Sequence, residues 1–435
     1  MIRIGAATRD ISPDGSIPLC GQTHVRISKF QHDPLTVNAV YFEQDDRKAV
    51  LVSCDLVGME QPMVTAIKKS CFERYGLGPH QLFLACTHTH LGPYTNESKW
   101  VPPEVVMQDY LQEIQEKIVQ AVGQAIAGAE PCEVYADSGF VEQMGFNRRG
   151  ILKDGRGQMY YGSWDPDFDR LEGPRDGEVG VIFAHPVGKE FDQLKVVITS
   201  FSTHPNSMEG ESFVSADLVA SVRRQIQKTF GDDVVVVYLT GAAGNTAPSD
   251  LENNPERKMP WRNESGWRRS GYYLGSEIVK TIAGTLEPMK DPKLDYQSRT
   301  LPLAIRDYPE DLDFSKIQRG MEQIFVDSRE HWSEWKKNNA AEDICLSVLR
   351  IGDAAICTNP AELYCEFGLA IKKDSPARVT LVAELTDGCI GYVPIPEAIR
   401  NGGYSAFHEW ASSRFEETAG DKIVQHTIEM LKKVF

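Results

Sequence analysis

Nowhere does this sequence run to the roughly 20 consecutive apolar residues that a membrane-crossing helix needs, and nowhere does it collect basic charge. Acidic residues outnumber basic ones, 62 against 46, for a formal net charge of -16. That balance argues against a nucleic-acid-binding face and against docking on anionic lipid, so neither nucleic acid nor membrane is expected as a partner. Nine cysteines, an odd number, include no C-x-x-C pair. Several sit in apolar runs (Cys54, Cys86, Cys357), where a small buried thiol is expected rather than a disulfide framework. A reducing compartment suits them. The opening Met1-Ile2-Arg3-Ile4-Gly5 enters strand-like sequence directly, without the basic segment, apolar run and cleavage site of a secretory signal. A cytoplasmic location is therefore expected. Internal repeats, low-complexity tracts and linkers are also missing, and nothing in the pattern speaks to oligomeric state.

What is present is an alternation of strands and helices. Ala49–Met59, Gln81–Cys86, Asp233–Leu239, Cys345–Leu349, Ala354–Thr358 and Val379–Ala383 read as strands, and Gly177–Ser202 as two strands joined by a turn around Pro186-Val187-Gly188. Pro62–Tyr75, Glu104–Ile126, Ala216–Phe230, part of Asp311–Lys337 and Gly420–Phe435 read as helices. Asn254–Trp267 is polar and aperiodic, and reads as a loop over the site. This order predicts an α/β fold with a mixed β-sheet core flanked by helices, its site on loops at strand ends.

Polar clusters follow several of these strands. Thr87-His88-Thr89-His90-Leu91-Gly92-Pro93 comes straight after Gln81–Cys86. If the strand continues, His88 and His90 share a face with their rings roughly 6–7 Å apart. That suits one histidine on a metal with the other over a bound water, two ligands on one ion, or two ordinary histidines at a turn. His204, followed by Pro205, is held extended at an equivalent position. Asp217 reads as a helix N-cap ahead of a second role, as acceptor for a metal-bound imidazole. The small residues of Leu239–Pro248 let a substrate approach backbone N–H groups that can receive an oxyanion. They lack the G-x-x-x-x-G-K spacing of a phosphate loop, which argues against nucleotide. Asn359-Pro360-Ala361-Glu362 and Gly391-Tyr392-Val393-Pro394 complete the set.

Taken together and in order, these blocks resemble the catalytic domain of the neutral/alkaline, non-lysosomal ceramidases. The likeness begins at Ile4–Ile11 and continues through Val52–Leu56, the T-H-T-H-x-G-P block at Thr87–Pro93 and Asn147-Arg148. It then runs through His204–Met208 (H-P-x-S-M), Gly244–Pro248, Glu362 and Tyr392-Val393. The resemblance implies one ceramidase-like catalytic domain over residues 1–435, without the C-terminal immunoglobulin-like domain of that family. It implies Zn²⁺ held by His88, His204, Glu362 and Tyr392, with catalytic roles for His90 in proton transfer, for Arg148 on the scissile carbonyl and for Tyr392 beside the oxyanion. Asn147, Gly244, Asn245 and Thr246 would line the substrate. Ala247 stands where the family carries a serine, and Asn245 where it carries an aspartate.

The expected activity is hydrolysis of an amide, or of an ester, in a small polar metabolite by zinc-activated water, with a small molecule as the partner. A zinc-dependent lyase or isomerase working next to a carbonyl is the alternative enzyme. A non-catalytic zinc- or ligand-binding protein is the alternative of a different class.

Overall fold

The computed structural model describes residues 1–96, 101–409 and 412–435. Its centre is an eight-stranded mixed sheet in the order Val235–Thr240, Val196–Phe201, Glu178–Pro186, Glu130–Phe140, Ile2–Asp10, Thr36–Gln44, Arg47–Cys54, Leu82–Cys86. Both outer pairs are parallel and the inner five are antiparallel. A second sheet, Leu294–Ala304, Ala341–Ile351, Ala354–Thr358 and Val379–Ala383, lies on one face of the first. Ile4, Phe42, Leu51 and Val237 of the large sheet share one core cluster with Leu349, Ile356 and Leu381 of the small one. Strands covered on both faces read as unbroken apolar runs, which is why VVVYL and VTLVA were recognisable as strands.

Helices cover the outer faces. Gln108–Ala127 buries Leu111, Ile114, Ile118 and Val122, each worth about 1.5–3 kcal/mol of transfer free energy. Gly5 lets this helix lie against its strand: a Cβ there would sit 1.8 Å from the Ala125 carbonyl oxygen. The helix starts four residues later than Glu104, because Pro103–Val105 forms a short 3₁₀ turn ahead of it. Asn254–Trp267 is not wholly a loop as expected. Asn263–Ser270 is helical and runs into a π-helical turn at Gly271–Gly275. Gly266 permits it, since a Cβ there would meet the Trp261 backbone at 2.0 Å. Among the described residues no helix is long and apolar enough to cross a membrane.

The large sheet curls until its two ends meet. Ser53 Oγ donates to the Tyr238 carbonyl at 2.6 Å, and Thr240 Oγ1 to the Thr87 carbonyl at 2.8 Å. The small sheet closes on the same place, with Glu384 N donating to Thr240 O and Cys86 N to Leu385 O. The loops that follow Cys86, Phe201, Thr240 and Thr358 therefore converge on one spot.

Candidate metal centre

His88 and His90 lie beyond the end of their strand, so the alternation argument for their spacing does not apply. His88 takes a left-handed backbone conformation, φ 66°. Such a conformation in a non-glycine residue persists only where its surroundings enforce it. Here Thr87 N donates to Cys54 O and His88 N to Leu56 O. Below them Asp55 takes a bidentate pair from Arg223, at 3.0 and 3.1 Å, and a bond from Thr87 Oγ1 at 3.2 Å. As a result the His88 and His90 rings sit 4.9 Å apart, nearer than an extended pair allows.

His88 Nδ1 lies 2.6 Å from the Val57 carbonyl, and His204 Nδ1 lies 2.8 Å from that of Ala243. A carbonyl can only accept, so both rings carry hydrogen on Nδ1 and turn Nε2 toward the centre. Burial, with the Arg148 guanidinium beside it, pushes the His204 imidazolium pKa well down, so the ring is neutral. The two Nε2 atoms are 3.2 Å apart, and Glu362 Oε2 lies 3.4 Å from the first and 3.2 Å from the second. These three separations match the edge of a tetrahedron with bonds of about 2.0–2.1 Å, which is about 3.3 Å. Glu362 Oε2 is buried and receives no hydrogen bond. His90 Nε2 is 3.3 Å from His88 Nε2, and the ligand atoms of the three histidines all lie within 4.8 Å of one another. These nitrogens and the carboxylate oxygen converge at the spacing of ligands on one ion. The group can hold a metal ion.

Glu362 and Tyr392 are paired directly in register in two short parallel strands, so their side chains emerge side by side. Gly391 makes the turn into that pairing, at φ 78°, and a Cβ there would meet the Ser412 carbonyl at 2.7 Å. The Tyr392 hydroxyl accepts from Arg148 Nη2 at 3.2 Å. The buried Arg148 guanidinium also donates to Gly244 O at 2.8 Å, to His204 Nε2 at 3.0 Å and to the Tyr160 hydroxyl at 3.1 Å. All four partners are neutral groups, and Arg148 Nε has none. This buried cation thus makes no hydrogen bond to a carboxylate.

The other residues marked in the sequence frame this centre. Asn147 pairs with Thr246 in a two-residue ladder, and its side chain bonds Pro174 O and Arg149 N. Asn245 bonds Glu366 and Cys365 N, and Thr246 Oγ1 donates to Ser202 O. The N–H groups of Gly241, Ala243, Gly244 and Thr246 are all engaged within the protein. As folded, this loop holds Arg148 and His204 in place, and these N–H groups are not free to receive an oxyanion. Asp217 caps its helix at Leu218 N and also takes Ser207 N and Met208 N, while the imidazole-acceptor role falls to main-chain carbonyls.

Sequence reasoning missed four contributors, Glu384, Tyr160, Glu209 and Arg262. Glu384, fully buried, accepts from Ala243 N and Leu363 N, both at 3.0 Å, and so ties the loop after Thr240, whose Ala243 carbonyl holds His204, to the Glu362 strand. A glutamate directly after the apolar run VTLVA was the signal that could have found it. Tyr160 bridges Arg148 to Asn206, whose Nδ2 donates to its hydroxyl at 2.8 Å. Glu209 Oε2 lies 3.2 Å from His90 Nδ1, and Arg262 pairs with the other carboxylate oxygen at 2.5 Å. Burial pushes the Glu209 carboxyl up, but His90 and Arg262 outweigh it and hold the group below the usual carboxylate range.

The full length of the chain superposes on a ceramidase complexed with C2, with a TM-score of 0.76, 16% identity and 75% of that chain covered. It superposes equally on the neutral ceramidase from Pseudomonas aeruginosa, with a TM-score of 0.76, 18% identity and 74% of that chain covered. The fold is that of the neutral ceramidases. No protein-family model matches the sequence, and no curated protein does. The likeness therefore bears on architecture: a ceramidase-like mixed sheet flanked by helices, with the His88, His204 and Glu362 loops gathered at strand ends.

Proposed function

We propose that this protein hydrolyses an amide (C–N) bond, or less readily an ester, in a small polar metabolite, with the whole chain acting as one catalytic unit. The observation that carries the reading is the triangle of buried acceptors, His88 Nε2, His204 Nε2 and Glu362 Oε2, at 3.2–3.4 Å. Two imidazoles and a carboxylate are a donor set of zinc, and the Glu362 oxygen that receives no hydrogen bond fits a cation. His88, His204 and Glu362 would hold the ion, with Tyr392 as the fourth ligand in this reading. When bound, zinc supplies the Lewis acidity that makes water a nucleophile at neutral pH.

The remaining steps belong to the protein. His90 takes a proton at Nε2 and returns it to the leaving amine. Arg148, a buried guanidinium bonded only to neutral partners, stabilises negative charge developing on the carbonyl oxygen. The Thr246 hydroxyl is committed to Ser202 O and Ala247 offers only a methyl group, which supports attack by water over an acyl-enzyme. Tyr160, Asn206, Glu209 and Arg262 make the wall next to His90 polar and charged, which favours a polar substrate over a lipid.

The test pairs elemental analysis with pooled metabolites, followed by mass spectrometry for the native protein and His88→Ala. About one zinc per chain and a product pair that gains one water are expected, both lost in the variant. Absence of any transition metal after metal-replete expression overturns the reading. A product mass equal to the substrate's would point to an isomerase instead.

A further inference from the structure

Glu209 follows Met208 in the turn after His204, with its carboxylate turned inward. Oε2 lies 3.2 Å from His90 Nδ1 and accepts from Asn206 Nδ2 at 3.0 Å, while Oε1 pairs with Arg262 at 2.5 Å. Arg26 clamps the main chain on both sides of this contact, donating to the carbonyls of Glu209 and His90, each at 2.6 Å. The His90 ring is also wedged against Gly21, φ 91°, where a Cβ would stand 2.4 Å from Cγ of the imidazole. The ring is thus confined by a glycine on one side and faced by a carboxylate at Nδ1. Nδ1 and the carboxylate are not aligned as a hydrogen bond, but the negative charge 3.2 Å away favours the tautomer with hydrogen on Nδ1.

We propose that Glu209, steadied by Arg262, is a positioning residue that fixes His90 as the Nδ1–H tautomer and aims the Nε2 lone pair at the centre, where His88 Nε2 lies 3.3 Å away. The proposal rests on the hydrolase reading only for its effect on turnover. Carboxylate partners of this kind typically matter by 10–100-fold.

The test is the long-range ¹H–¹⁵N spectrum of histidine-labelled, metal-free protein, with the His90 signals assigned by their loss in His90→Asn. A protonated Nδ1 and an unprotonated Nε2 are expected in the native chain. In Glu209→Gln the amide can turn its NH₂ toward Nδ1, and the proton should move to Nε2. Turnover of that variant should fall about 10–100-fold in kcat, with KM and zinc content unchanged. A native His90 protonated on Nε2 overturns the proposal without needing the variant to fold. So does a variant that loses zinc and activity together while the tautomer stays as it was. A chain that binds no zinc and turns over nothing, yet shows the Nδ1–H form, removes the hydrolase reading and leaves this assignment standing.

Discussion

Replacing Glu362 by glutamine is the sharpest probe of the centre, because it should move stability in opposite directions with and without metal. In the metal-free protein Glu362 Oε2 is buried, receives no hydrogen bond and faces the two imidazole Nε2 atoms at 3.4 and 3.2 Å, the second of which already accepts from Arg148. An unsatisfied buried acceptor costs about 1–3 kcal/mol, more if charged. An amide of the same shape offers an N–H to the His88 nitrogen, so Glu362→Gln should stabilise the metal-free protein by about 1–3 kcal/mol. With an unfolding entropy of about 2.1 cal/mol/K per residue, 435 residues make about 0.9 kcal/mol/K, so the gain is about 1–3 °C in Tm. Zinc at roughly 1,000 times its Kd should stabilise the native protein by about 4 kcal/mol, or about 4–5 °C, and the variant by much less. Scanning calorimetry of both proteins, with chelator and with zinc, reads all four values. If Glu362→Gln melts below the native protein in chelator, the carboxylate is already satisfied by a protonated histidine and the argument for a cation fails.

His90→Asn should retain its zinc while turnover falls about 10²–10⁴-fold; metal lost in step with activity would make His90 a ligand instead. Arg148→Lys keeps the charge but cannot span Tyr160, Gly244 and Tyr392 at once, so kcat should drop even in the lysine variant, and full activity would remove Arg148 from the chemistry. Rapid-quench kinetics should show no burst of amine release, and intact-protein mass spectrometry no acyl adduct; an adduct on Thr246 or Ser249 would overturn attack by water while sparing the metal assignment.

The strands and long helices were legible because burial on both faces writes apolar runs, and one-sided packing writes a helical period, as in Gln108–Ala127. Asn263–Ser270 carried neither signal: it is short, its sequence NESGWRRS is polar, and it contains a glycine. In the centre, His88 and His204 announced themselves through motif and position. The close approach of His88 to His90 did not, because it depends on a left-handed backbone that the residue name does not encode. Glu209 and Arg262 lie 53 positions apart, and each alone resembles a solvated loop charge. Their pairing exists only after the sheet curls and the polar helix docks. Glu384 was readable in principle, as an acid inside a buried stretch, but its two backbone partners come from a loop and a strand far apart in the sequence.

The backbone at His88 also has a bearing on what the protein gives up to hold its centre together. A left-handed conformation costs an L-residue roughly 1–2 kcal/mol that glycine does not incur. Glycine at this position would therefore relax the main chain while emptying the imbedded side chain's space, so His88→Gly should be a gentler vacancy than His88→Ala. Position 88 thus sets tolerance against chemistry: a library selected only for thermal resistance should drift there toward glycine, and one selected for turnover should keep the imidazole despite its conformational penalty.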